Sequence, residues 1–399
     1  MKIGLIREGK TPADNRVALI PAQCRWIHRN MPHIRITVQS APNRCFTDRQ
    51  YALAGVEVQE DIHECDLLLG IKEVPPEQLL QNKTYLFFSH TKKKQPHNRR
   101  LLQAVLRNGI TLIDYECLEH EDGQRIIGFG FFAGVVGAHN GMMAYGTRTG
   151  LYKLGRVHES TDLRQLMHTY FGLRLPPVKI AVTGSGRVAS GILEIMNLMG
   201  VVEVEPEEYL QREFTYAVYV HLKSPGLYRH QLSDTYNRED FHARPENYSS
   251  LFKPYTYHTD ILLNGVYWDT GIPRLFTWED MADSRFRIQV IADITDDYNG
   301  SIPCNLGDGT LQDPVYGIDK MERKRTAPYQ PDGIDLMAVS NLPNELPKDA
   351  SRYFGEQLIK WVLPDLARGN SSIIERATIA RRGILTPPFA YLSDYTAEE

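Results

Sequence analysis

Between Val178 and Met199 the chain leaves itself few ways to fold. Val178-Lys179-Ile180-Ala181-Val182-Thr183 is an apolar run of strand length, and Gly184-Ser185-Gly186-Arg187-Val188-Ala189-Ser190-Gly191 follows it at once. Ile192, Ile195, Met196 and Met199 then recur at helical spacing. A strand passing into a helix through glycines has a physical use. The first glycine allows a tight turn, the second lets the main chain approach an anion, and the helix N-terminus supplies N–H donors and the positive end of its dipole. Glycine turns also form without ligands, so it is the strand before and the amphipathic helix after that give this one weight. The pattern predicts a pyrophosphate contact at Gly184, Ser185, Gly186, Arg187 and Val188.

Twenty-one positions beyond Gly184, Val202-Glu203-Val204-Glu205 reads as the next strand, ending in an acid. Glu205 is expected to accept hydrogen bonds from ribose hydroxyls, which favours NAD, while Glu203 reads as a surface turn acid. Arg187 and Arg212 could offset the acid, so NADP stays possible. Three further apolar runs, Asp260–Tyr267, Ile288–Ala292 and Leu336–Val339, read as strands of the same sheet.

The first 130 residues alternate in the same way. Short strands are expected at Ile3–Ile6, Ile34–Val38, Leu67–Ile71, Tyr85–Phe88 and Thr111–Ile113, with helices at Pro21–Arg29 and His97–Asn108, an α/β layering. A glycine-rich stretch, Gly128–Ala138, leads to a helix expected at Met142–Leu154 and marks a domain boundary. Tyr228–Tyr257, rich in Tyr, His, Asn and Pro, reads as an insertion ordered against the sheet edge. The last fifty residues return to a helix, Ala350–Trp361, and then a polar tail. A length of 399 residues gives two or three domains.

Composition removes whole classes of function. Forty-five basic against 49 acidic residues leave a net charge of −4, with no cationic excess to hold a phosphate backbone, so no nucleic-acid partner is expected. No apolar run reaches the roughly 20 residues that span a bilayer. The opening Met1–Glu8 meets charges too soon for a secretory signal. Cysteines 24, 45, 65, 117 and 304 are odd in number and scattered, which points to reduced thiols in a cytoplasm and to no metal site.

Two titratable residues stand directly after apolar runs. Leu67-Leu68-Leu69-Gly70-Ile71-Lys72-Glu73 ends in a lysine, and Tyr85-Leu86-Phe87-Phe88-Ser89-His90 in a histidine. Ligands of α/β sheets bind at strand carboxyl ends. A lysine held among apolar strands has its pKa drawn down toward the range of a base, and imidazoles titrate near neutrality by nature. Taken singly, Lys72 is more often a solvated strand-end charge and His90 a satisfied turn histidine; two such groups at equivalent strand ends bring the functional reading to even odds. Arg16, just before a helix, carries a fork suited to a substrate carboxylate, or is simply a loop arginine. Lys92-Lys93-Lys94 reads as a solvated charge run.

Taken together, Arg16–Leu19, Gly70–Glu73, Phe88–His90, Leu112–Glu116, Phe129–Gly134, Leu263–Trp268, Ala292–Asp297 and Ser340–Pro347 resemble the alanine dehydrogenase/pyridine nucleotide transhydrogenase N-terminal superfamily. Within it, the chain is most similar to saccharopine dehydrogenase (L-lysine forming) and the lysine–ketoglutarate reductase half of aminoadipic semialdehyde synthase. The resemblance implies two Rossmann-like domains with a cleft between them: residues 1–130 plus 349–399 for substrate, and a doubly wound parallel sheet at 131–348 for NAD(P). It assigns acid–base work to Lys72 and His90, substrate contacts to Arg16, Glu116 and Arg125, and cofactor contacts to Asn264, Asp293, Asn341 and Leu342. The implied reaction interconverts saccharopine with L-lysine and 2-oxoglutarate through an imine. The partners implied are those small molecules, with self-association left open. An alanine dehydrogenase-like amination of a keto acid, or a non-catalytic NAD-binding regulator, are the competing readings.

Overall fold

The computed structural model describes residues 1–397 and divides them into two compact units, Met1–Phe129 with Pro347 onward, and Gly130–Leu346. In the first unit the strands are β1 (Lys2–Leu5), β2 (Arg35–Gln39), β3 (Glu57–Gln59), β4 (Leu67–Leu69), β5 (Thr84–Phe87) and β6 (Thr111–Asp114), all parallel. The five expected strands are present, each shifted by at most two residues, because apolar runs buried on both faces are what parallel strands require. Pro21–Asn30 and Arg99–Arg107 form the expected helices.

The second unit is built on β7 (Lys179–Thr183), β8 (Val202–Glu203) and β9 (Val218–Leu222). A small hairpin of β10 (Tyr228–His230) and β11 (Tyr248–Ser250) follows, and then β12 (Ile261–Asn264), β13 (Val290–Asp293), β14 (Val315–Asp319), β15 (Lys324–Thr326) and β16 (Ile334–Met337). The large sheet runs β15-β14-β16-β13-β12-β7-β9-β8. The stretch 228–257 is ordered: Tyr228, Phe241, Tyr248, Phe252 and Tyr255 pack into the same apolar cluster as Leu222, Leu262 and Ile291 of the sheet.

The helix expected at Met142–Leu154 instead spans Gly130–Thr149, so the glycine-rich run is its first half. Glycine costs about 1 kcal/mol per helical position relative to alanine, so something must offset it, and that is close packing. A Cβ on Gly134 would lie 2.0 Å from the Val188 carbonyl oxygen, and one on Gly191 would lie 2.0 Å from that of Phe131. The helix after the glycine turn and the Gly130–Thr149 helix therefore touch backbone to backbone.

The polar tail is not featureless. β17 (Thr378–Arg381) pairs antiparallel with β6, and β18 (Ile384–Leu385) with β17, completing the first sheet as β18-β17-β6-β5-β4-β1-β2-β3. The helix before them runs Pro347–Gln357 and continues through a wider turn at Leu358–Val362. Among the described residues no helix is long and apolar enough to cross a membrane.

Replacing Gly191 by alanine should cost about 1–3 kcal/mol net, because forcing atoms into a closed contact outweighs the gain in helix propensity. A lowered urea midpoint at unchanged slope is the expected reading.

Candidate active site

Parallel pairing puts the carboxyl ends of β1, β4, β5 and β6 side by side, and the chemistry of the first unit gathers there. Ladder bonds run on past the strands, from Ile6 N to Leu69 O (3.0 Å), Gly70 N to Leu86 O (3.0 Å) and Phe88 N to Ile71 O (3.0 Å). They carry Lys72 and His90 to adjacent places on one edge.

His90 Nδ1 lies 2.6 Å from Glu73 Oε1, and Lys10 Nζ binds the other oxygen of that carboxylate at 2.9 Å. Burial opposes ionisation of Glu73, but the bonds and charges of His90 and Lys10 prevail and bring its pKa to about 2. His90 holds a left-handed backbone (φ +52°), a strained conformation worth about 1–3 kcal/mol that clusters at working sites. Its ring stacks on Phe88 at 6.2 Å. Below it, the fully buried Asp114 accepts from Ser89 N (3.1 Å), Glu116 N (2.7 Å) and the Ser89 hydroxyl, which ties β5 to β6. Burial raises the pKa of Asp114.

Lys72 has its pKa lowered to about 8, first by burial and then by the Arg16 charge, with Asp14 and Glu73 opposing. It can therefore give or take a proton near neutrality. Arg16 is buried, with its guanidinium 4.2 Å over the Phe129 ring. The fork expected to face a substrate carboxylate is closed on Asp14, at 2.9 Å (Nε–Oδ1) and 2.5 Å (Nη2–Oδ2). Burial works against the Asp14 anion, yet Arg16 holds its pKa at about 2. Arg125 and Glu116, expected to meet substrate separately, bind each other at 2.9 Å (Nη2–Oε1), and the second oxygen of Glu116 is buried without a hydrogen-bond partner.

In the second unit, Gly184 has φ +104°, and a Cβ there would lie 2.4 Å from the Gly265 carbonyl oxygen. Gly184 N donates to Leu222 O at 3.0 Å, and His221 Nε2 donates back to Gly184 O at 2.7 Å. Gly186 is the N-cap of the Arg187–Leu198 helix, has no side-chain cap bond and faces open space where a Cβ would stand. Ser185 and Gly186 are exposed, Arg187 and Val188 half-buried. This cradle fits an anion.

Glu205 is a correction. The strand next to β7 is β9, and β8 lies outside it, paired only with β9. At about 4.8 Å per strand, β8 sits two spacings from the glycine turn, so Glu205 ends the outer strand. The residue just past the adjacent strand is the exposed Lys223. Sequence order suggested that β8 would pair with β7, and no local signal shows that β9 intervenes.

Asn264 and Asp293 are fully buried and bonded to each other at 2.8 Å. Asn264 also accepts from Thr183 (2.6 Å), and Asp293 from Asn305 (2.8 Å). Their side chains brace the ends of β7, β12 and β13 instead of facing outward, which corrects the expectation of direct contact. Beyond β13 and β16 a cavity of about 190 Å³ is lined by Ala133, Thr295, Asp296, Ser340, Leu342 and Pro343 among others, with Asn341 within the same lining segment. Burial and the charges of Asp308 and Asp293 push the Asp296 carboxyl up to about 8. Among the described residues no cluster could hold a metal ion.

The sequence reading passed over Glu8, Asp14, Glu73, Asp114, Lys223 and Asp296. Their shared signal is a charge within three residues of a strand's end or beside a chosen residue.

Residues 4–136 match the family described as Alanine dehydrogenase/PNT, N-terminal domain. Over 98% of its length the chain is 30% identical to the mitochondrial alpha-aminoadipic semialdehyde synthase of Mus musculus, and it spans about half of that relative (47%). It is 26% identical to the saccharopine dehydrogenase [NAD(+), L-lysine-forming] of Emericella nidulans, with 94% of this chain and 95% of the relative covered. A solved L-alanine dehydrogenase superposes over all of both chains with a TM-score of 0.67 at 16% identity, so the two share a fold.

The Glu73–His90–Lys10 contact carries a pH signature. A carboxyl whose folded pKa lies below its ordinary 4.5 adds stability above pH 4.5, and loses it as pH falls toward 2. For a drop to about 2 this amounts to about 3 kcal/mol. Glu73→Gln should therefore be less stable than the parent at pH 6, with the gap closing between pH 4.5 and 2 in urea titrations.

Proposed function

We propose that this chain is a pyridine-nucleotide oxidoreductase acting on a C–N bond, interconverting saccharopine with L-lysine and 2-oxoglutarate. The observation that carries the reading is the lowered Lys72 amine at the end of β4 beside His90 at the end of β5. The relatives' names supply the substrate class.

In the reductive direction the lysine ε-amine attacks the ketone of 2-oxoglutarate, water leaves, and the imine is reduced to the secondary amine. The nicotinamide supplies the hydride. Lys72, near pKa 8, takes the proton lost by the attacking nitrogen. His90, oriented through Nδ1 by Glu73, presents Nε2 to protonate the departing hydroxyl. Gly184–Val188 would hold the pyrophosphate, and the cavity by Asp296, Ser340 and Leu342 the nicotinamide end, with Asn264 and Asp293 bracing it.

For the ribose end we place Lys223 where Glu205 was expected. A lysine there favours the 2′-phosphate of NADP over the bare hydroxyl of NAD, the reverse of the choice an acid would make.

Lys72→Met and His90→Ala should each cut turnover by roughly 10²–10⁴ with cofactor affinity near normal. Wild-type turnover in both would remove them from the mechanism. In the reductive direction kcat/KM should rise with pH through about 8, as Lys72 becomes neutral and able to take the proton of the attacking nitrogen, and Lys72→Met should lose that limb. Rates with lysine plus 2-oxoglutarate against ammonia plus pyruvate test the substrate class, and faster amination of pyruvate would overturn it. Lys223→Glu should move the NADPH-to-NADH preference toward NADH by tenfold or more.

A further inference from the structure

We infer that Glu8 is a positioning residue for Lys72, setting where its backbone lies at the end of β4. The inference rests on the acid–base reading of Lys72. After Ile6 the chains of β1 and β4 part, since Ile6 N still reaches Leu69 O but Arg7 N turns away to Gln39 Oε1 at 3.1 Å. The side chain of Glu8 continues the pairing in place of the main chain. Its Oε1 accepts from Ile71 N at 2.7 Å and its Oε2 from Lys72 N at 2.8 Å. On the opposite side Ile71 O accepts from Phe88 N, the residue two before His90. One half-buried carboxylate thus pins the two residues that join β4 to the amine, and through Ile71 it is coupled to the segment carrying His90.

The chemistry requires a carboxylate of this length. Two consecutive N–H groups point the same way and need two acceptors about 2.2 Å apart, the span of a carboxylate's oxygens. Glutamine supplies one acceptor and turns an NH2 toward the other donor, and aspartate lacks the reach. Glu8 also lies in the electrostatic neighbourhood of Asp14 and Arg16, the pair that flanks Lys72. Burial and the Asp14 charge push its pKa upward, and the two N–H bonds pull the other way by holding the carboxylate.

The test is Glu8→Gln, alone and with Lys72→Met, in the full chain. The single variant should lose roughly 10- to 100-fold in kcat while its cofactor KM stays within twofold and its thermal midpoint falls by only a few degrees. Amide exchange at Ile71 and Lys72 should quicken while β4 itself stays protected. In the Lys72→Met background, Glu8→Gln should cost less than a further twofold, because there is no amine left to place. Unchanged kcat in Glu8→Gln, or a double variant whose loss is the product of the two single losses, would overturn the inference. Lys72→Met alone separates this from the larger claim: full turnover there would sink the acid–base reading and this inference with it.

Discussion

An amine kept out of water next to a guanidinium is the constraint around which the first unit is arranged. Burial and Arg16 both push Lys72 toward its neutral form, and only Asp14 and Glu73 keep its proton within reach. Each of those acids has a second obligation, Asp14 to Arg16 and Glu73 to His90 and Lys10. Lys72, Asp14 and Glu73 each have their titration displaced by the groups around them. Desolvated groups of this kind are expensive unless paired, and here the pairing comes from loops that follow parallel strands. A sheet with its strand ends level is therefore a precondition of the chemistry.

The second unit solves a different problem, with amides and hydroxyls gathered around one buried carboxyl, Asp293. Asn264, Asp293, Thr183, Ser301 and Asn305 bond to one another beneath the strand ends. Such a network fixes the loops above it, and the surface proposed for an anion is left to main-chain N–H groups at the Gly186 cap. Backbone contact of the Gly130–Thr149 helix with the helix after the glycine turn holds that cap in place.

Much of this was legible in the amino-acid pattern, and the failures share a cause. Apolar runs located the central strands because burial on both faces leaves a continuous signal. The positions of the glycine turn, Lys72 and His90 at strand ends were legible because each is attached to such a run. Glu205 was misplaced because strand order is a long-range fact: whether β8 or β9 lies beside β7 depends on contacts that no window around Glu205 contains. The pairing of Arg16 with Asp14 is not legible in the sequence, because an acid two residues away looks like an ordinary loop residue. The glycine run before Met142 was left out of its helix because propensity argues against it, and only the neighbouring helix explains it. β17 and β18, four and two residues long, are too short to show a strand period.

The pairing of β17 with β6 has a consequence for how the protein is made. A ribosome produces β6 early and must synthesise all of Gly130–Leu346 before β17 emerges, tens of seconds at roughly 5–20 residues per second. During that interval the nascent sheet has an open flank of main-chain donors and acceptors, the kind of surface that recruits stray strands. Chaperone demand during translation should thus fall on Met1–Phe129 until β17 emerges, although six of the eight strands of its sheet are already made.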